Sequence, residues 1–260
     1  DVKNFGSLIV PKLRDPVVAL RAVVARDFGS DLLLREVQGR VVSALRMAVA
    51  LSPTYHVIVA NPPYAGAKGL NSVTSNRLKK SYPLAKADLY TAFIQRGMGL
   101  ILKNGHLAMV TMESWMFLSS FEGLRSFFFD DMTMLSMVHM PYLGKGGTSM
   151  GINFGTAAFV SQKFPMPEFR GHFSCIRYFE TDEAGVPLTF PVVNERQKRA
   201  TTNNFFRIPG KPIAYWASDQ VLRLFSDCKS IAEVAEPRQG LATADNDRFL
   251  RVWSEVGSGK

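Results

Sequence analysis

The chain has little of what a disulfide-built, metal-dependent or membrane-spanning protein needs. Its 260 residues include two cysteines, Cys175 and Cys228, far apart and without CxxC spacing. They read as reduced core thiols rather than a disulfide framework or a zinc site. His56, His106, His139 and His172 stand at no metal-ligand spacing, so no metal is expected, and no nucleophile, base and acid are spaced as a catalytic set. No apolar run approaches the ~18 residues of a membrane span. The stretch 117–134 is broken by Glu122, Arg125, Asp130 and Asp131. A secretory signal is missing from the start, and the expected compartment is a reducing cytoplasm. The chain opens on Asp1, not methionine. It closes on Gly257-Ser258-Gly259-Lys260, which lacks the earlier glycine and following hydroxyl of a phosphate loop. Both ends read as cuts in a longer chain.

Acids are scarce where bases gather. Between Asn61 and Asn104 the sole acid is Asp88, against Lys68, Arg77, Lys79, Lys80, Lys86, Arg96 and Lys103. A second basic run, Arg196, Lys198, Arg199, Arg207 and Lys211, has Glu195 against it. With a net charge of +9, this distribution favours a polyanionic partner over a merely solvated face.

What is present is an alternation of element types. Asp15 is placed to cap a helix starting at Pro16, with Val17, Leu20, Ala22 and Val24 as its apolar stripe. A second helix is expected over 30–51, with Leu33, Leu34, Val37, Val41, Leu45 and Val49 inward. His56 to Ala60 is a short β-branched run suited to a strand buried on both faces. Helical periodicity then covers 88–103, a strand 106–112, a helix 114–131 and a strand 134–140. A glycine-rich loop, 144–155, leads to a last strand at 156–160. The alternation predicts an α/β fold with a largely parallel sheet. From about 165–170 the texture changes to short, proline-punctuated segments, with one helical stretch near 217–225. The expected division is therefore 1–165 and 166–260.

The residues that carry chemistry are Asn61, Pro62, Pro63 and Tyr64, directly after the apolar strand. In an open α/β sheet, ligands bind beyond the carboxyl ends of strands. An exocyclic amine on an aromatic ring is a poor nucleophile, because its lone pair is delocalised. The Asn61 side-chain oxygen and the Pro62 carbonyl can each accept one of its hydrogens, favouring a tetrahedral nitrogen and stabilising positive charge as it develops. The prolines stiffen the turn and bring no competing N–H. Tyr64 offers a flat face against a base drawn out of its duplex. The same four residues suit a glutamine side-chain amide in a protein, whose nitrogen poses the same problem. A non-catalytic DNA-binding or assembly role is a further alternative.

The segment 56–117 resembles the catalytic half of the adenine-specific N6 DNA methyltransferases, above all the phage growth limitation, or BREX-type, phage-defence family. The matching stretches are Phe5-Gly6-Ser7-Leu8-Ile9, Ala60-Asn61-Pro62-Pro63-Tyr64, Asp88-Leu89-Tyr90 and Met109 to Phe117. Gly146-Gly147-Thr148-Ser149, Ile208 to Trp216 and Asp245 to Arg251 follow in the same order. Ala244 stands where the family commonly has glycine. The resemblance implies a Rossmann-like, S-adenosylmethionine-dependent methyltransferase sheet with helices on both faces, followed by the start of a mixed α+β target-recognition region. It implies double-stranded DNA and other phage-defence proteins as partners. Tyr142 and Phe154 become candidates for a second aromatic against the flipped base, and Lys145 for a phosphate contact. Lys68, Arg77, Lys79 and Lys80 are the candidate DNA contacts near the motif. Asp88 is a helix cap or a cofactor-side acid, and Trp115 and Phe117 are core or cleft residues. The family's glycine-bearing cofactor loop after the first strand has no counterpart in residues 1–60, where Gly6, Gly29 and Gly39 are isolated. No cofactor-binding residue can therefore be assigned, and the chain by itself is expected to be weakly active or inactive.

Overall fold

The computed structural model describes residues 15–27, 29–66, 69–141, 155–183, 186–191 and 193–236. Two compact units divide it, 1–217 and 218–260. The first holds a six-stranded mixed sheet in the order β1-β2-β4-β3-β5-β6. Its strands are β1 Tyr55–Ala60, β2 Ile101–Met112, β3 Thr133–Met140, β4 Thr156–Gln162, β5 Gly171–Cys175 and β6 Lys198–Ala200. β1 runs parallel to β2 and β3 parallel to β5, whereas β4 is antiparallel to both β2 and β3. Thus β1, β2, β3 and β5 all end on one edge of the sheet, where β4 and the antiparallel β6 begin. The sheet is α/β and mixed, because β4 enters between two parallel neighbours. It runs across the compositional change at 165–170, drawing β5 and β6 from beyond it.

Helix α1 (Pro16–Val24) is capped by Asp15, whose carboxylate accepts from the Val17 and Val18 amides. Asp31 does the same for α2 (Leu32–Ala50) through the Leu33 and Leu34 amides. The Gln38 side-chain amide ties the two helices by donating to the Val23 and Arg26 carbonyls at 2.8 Å each. The apolar stripe of α2 is present but not inward, for no residue of that helix is buried. β1 likewise departs from expectation. It forms an edge of the described sheet, pairing with β2 on one side, and Val57 and Val59 are 58% and 76% exposed. A β-branched run reports what a strand can bury; it does not name the element that covers it.

Two other differences have local causes. The helix expected over 88–103 is α4, Leu89–Leu100. Ile101 already pairs with Tyr55, and Asn104, at φ 65°, turns the chain before β2 resumes its register at His106. The helix expected over 114–131 is two short 3-10 turns, Glu113–Met116 and Ser119–Phe121, followed by α5, Glu122–Asp131. Trp115, Met116 and Phe121 are buried there, so packing dictates the path. A further helix, α3 (Ser72–Ser81), is capped by Asn71 through the Thr74 amide. α6 (Thr202–Phe206) carries a reciprocal capping box between Thr201 and Asn204.

The core lies between the middle of the sheet and helices α4 and α5. Leu107, Met109, Phe159, Met137 and Phe173 meet Ile94, Met98, Leu124 and Phe128 in it. Trp115 lies at its centre, with no exposed surface and edge-on contact to Phe128 at 5.4 Å. It is a core residue and not a wall of the cleft. In the second unit, α7 (Asp219–Asp227) is capped by Ser218 and strongly amphipathic, and α8 is Ile231–Val234.

Candidate active site

The four residues after β1 sit on the edge where the parallel strands end. Pro62 is buried, Tyr64 half-buried, and Asn61 and Pro63 exposed. The Tyr64 hydroxyl lies 3.2 Å from both the Asn61 Oδ1 and the Val110 carbonyl oxygen on β2. One phenolic hydrogen serves two acceptors, and the Asn61 oxygen keeps a lone pair for a further donor. Burial holds the Tyr64 phenol above its usual pKa, so it stays a neutral donor at physiological pH. Its ring stands edge-on to Tyr90, with centroids 5.9 Å apart.

Asp88 holds the motif from the other side. Its Oδ1 accepts from the Ala65 amide at 3.1 Å and from the Tyr90 amide at 3.3 Å. The Leu89 amide donates to the Ala65 carbonyl at 3.0 Å. One carboxylate therefore caps α4 and clamps the segment leaving Tyr64. Tyr90 is fully buried, and its hydroxyl meets the Ser114 hydroxyl at 2.8 Å. Burial pushes this phenol well above the tyrosine range.

A second polar set, which sequence reasoning missed, follows along the same edge. Glu113, just past β2, places its Oε2 2.6 Å from the His139 Nε2 near the end of β3. The His139 Nδ1 lies 2.9 Å from the Tyr215 hydroxyl. The pair spans the start of β4, where an added Cβ on Gly155 would stand 2.2 Å from the Glu113 carboxyl carbon. Glycine is thus required there to admit the acid. The one signal in the sequence was an acid directly at a strand's carboxyl end.

Arg125, on α5, is fully buried and makes no salt bridge to a carboxylate among the described residues. It donates to the carbonyls of Trp115 (2.9 Å), Leu118 (2.8 Å), Lys211 (2.9 Å) and Gly210 (3.2 Å from Nε). Desolvation lowers its pKa. With the Ile213 amide bonded to the Met116 carbonyl at 2.9 Å, it fixes the strap that delivers Tyr215 and Trp216 to the edge. Phe117 packs on His139 and Trp216 at 6.1 and 5.5 Å.

Arg77, Lys79 and Lys80 are exposed on α3, around the inward Leu78, and none pairs with a carboxylate among the described residues. Lys68, Tyr142, Lys145 and Phe154 lie outside the described residues. In the second basic run, Arg196 bridges Glu180 and Glu195, and Lys211 stands over the Phe206 ring at 4.9 Å. No cluster of three metal-ligating side chains occurs among the described residues, nor any described helix long and apolar enough to cross a membrane.

Residues 39–144 match the Eco57I restriction-modification methylase family. The adenine-specific methyltransferase BrxX of Escherichia coli O9:H4 (strain HS) is 33% identical over 261 residues, covering 98% of this chain and 21% of its own length. The adenine-specific methyltransferase PglX of Lacticaseibacillus casei (strain Zhang) is 33% identical over 269 residues, covering 98% and 22%. A solved type I R-M system chain aligns with a TM-score of 0.48 at 14% identity, over 71% of this chain and 42% of that one. The chain thus spans about a fifth of the length of the curated relatives it matches, and along 98% of its own length it is similar to these adenine-specific methyltransferases.

Proposed function

We propose that this chain is the base-holding part of an S-adenosylmethionine-dependent DNA methyltransferase that modifies the N6 amine of adenine. The observation that carries the reading is the Asn61 oxygen, held by Tyr64 at 3.2 Å on the edge where the parallel strands end, with a lone pair left for a further donor. The relatives' adenine specificity supports an adenine over a protein glutamine as acceptor.

In this reading the amine donates one hydrogen to the Asn61 Oδ1 and one to the Pro62 carbonyl. Both bonds draw electron density back to the nitrogen and strengthen as it becomes cationic, so they act more on the transition state than on the bound substrate. Tyr64 fixes the Asn61 rotamer and contributes its ring to the base. The amine's surplus proton leaves after transfer, on the solvent side of the exposed Asn61. S-adenosylmethionine supplies an electrophilic methyl group. Among the described residues no glycine loop leads from a strand into a helix and no strand lies beside the outer edge of β1, and none is assigned to hold the cofactor.

Double-stranded DNA is the proposed substrate. Arg77, Lys79 and Lys80 are proposed to meet its phosphates, with Lys68 and Lys145, and Tyr142 or Phe154 to flank the flipped base. Residues 166–260 are proposed to lead into target recognition. Kinship with BREX-type relatives supports work in the cytoplasm alongside other phage-defence proteins. The test is transfer of labelled methyl from S-adenosylmethionine to mixed-sequence DNA by the full-length protein. Label is expected on adenine N6 and is expected to fall at least about 100-fold in Asn61→Ala. Undiminished label in that variant would overturn the reading.

A further inference from the structure

Along the carboxyl edge, past Glu113 and His139, a cavity of about 440 Å³ opens between the ends of β3 and β5. That volume is within the ~300–1,000 Å³ range of small-ligand sites. One wall is aromatic. Trp216 is half exposed, and its inner face is backed by the His139 ring at 6.4 Å and 24°. Tyr215 is buried beneath, stacked on Phe173 at 5.0 Å and 10°. The Glu113–His139–Tyr215 hydrogen bonds hold this backing still, so Trp216 presents a preset flat surface rather than a loose one.

The lining is also cationic. Arg177, Arg196 and Lys198 belong to it with Glu195. Arg196 is committed to Glu180 and Glu195. Arg177 and Lys198 have no carboxylate partner among the described residues. An aromatic surface and two cations without a carboxylate partner, lining one cavity, match one ligand chemistry well: an aromatic base carrying a phosphate.

The cavity is not the place where Asn61 would hold its base. β3 and β5 are three and four strands from β1 in the sheet. At ~4.8 Å per strand the separation is roughly 14–19 Å. We infer that this cavity is a second, nucleotide-binding site, in which a base stacks on Trp216 and its phosphate meets Arg177 and Lys198. The site does not depend on the methyl-transfer reading. The nucleotide can be one in a nucleic-acid strand or one free in solution.

The test is anisotropy of etheno-adenosine monophosphate and of a fluorescein-labelled eight-nucleotide single strand, titrated with the full-length protein. Saturable binding of either probe is expected. It is expected to weaken about tenfold in Trp216→Ala, to be largely restored in Trp216→Phe, and to weaken in Arg177→Ala with Lys198→Ala. Binding of the mononucleotide would identify the free ligand, and binding of the strand alone a nucleic-acid segment. Asn61→Ala is expected to leave the mononucleotide affinity unchanged, which separates this site from the base-holding one. Methyl transfer could fail with this binding intact, or persist without it. Binding of neither probe, or equal affinity in Trp216→Ala with unaltered circular dichroism, would overturn the inference.

Discussion

At the scale of single residues, the candidate site is a chain of dependent positions. Asn61 acts as an acceptor with direction because Tyr64 occupies one of its lone pairs. Tyr64→Phe keeps the ring and removes the hydroxyl, so it separates the two duties assigned to that residue. Methyl transfer is expected to fall about tenfold or less, with DNA affinity unchanged, because one hydrogen bond is worth about 0.5–1.5 kcal/mol. Tyr64→Ala removes the ring as well and is expected to raise the Michaelis constant for DNA. Identical kinetics in the two variants would show that the ring has no duty of its own. Gly155 makes a sharper case. Its missing side chain is the space the Glu113 carboxylate uses on its way to His139. Gly155→Ala is expected to expel Glu113, leaving buried His139 without its acid. The cost should be about 1–3 kcal/mol, read as a lower urea midpoint. Glu113→Gln in the same background should then add almost nothing, and a full additive loss would refute the coupling.

At the scale of elements, what could be read from the sequence was what local chemistry decides. Asp15-Pro16 started α1 where the cap demanded, and Asp88 capped α4. The apolar run before Asn61 was a strand, and the motif lay at its carboxyl end. What could not be read was decided by distant packing. The run 114–131 has helical periodicity, yet its first half is broken into 3-10 turns because Trp115 and Met116 are drawn into the core. Exposure of β1 and α2 was equally illegible, since a sequence pattern shows a face but not its cover. Arg125 was invisible for a related reason: its partners are backbone carbonyls, two of them 85 and 86 residues away, and a carbonyl has no residue type to recognise. Its role is open to measurement. Arg125→Met keeps the length of the side chain and leaves four buried or part-buried carbonyls without their donor. It is expected to cost about 1–3 kcal/mol or more, seen in the urea midpoint, and to loosen the 210–216 strap. Increased hydrogen exchange at the Ile213 amide is the local readout. A stability loss without faster exchange there would mean that Arg125 supports α5 alone.

At the scale of the whole molecule, two collective properties follow from where charge is allowed to form. Burial raises the Tyr90 and Tyr215 phenols well above the tyrosine range, and an unfolded phenol titrates near 10. The folded chain therefore keeps protons that the unfolded chain loses. Stability from this source is fully present below about pH 10 and declines as pH rises beyond it. Urea midpoints should be flat on this account from pH 7 to about 9.5 and fall above, less steeply in Tyr90→Phe. The second property is the unbalanced positive face. Arg77, Lys79 and Lys80 project from α3, whose Leu78 is anchored in the core, so three cations are presented with no paired acid among the described residues. If they neutralise phosphates, each releases counterions, and log affinity for duplex DNA must depend on log salt through them. Replacing all three with alanine should reduce that slope by about 2.7 and weaken binding equally on all sequences, because a phosphate contact carries no base information. An unchanged slope would remove α3 from the DNA face. A slope that fell on one sequence only would mean that these side chains read bases.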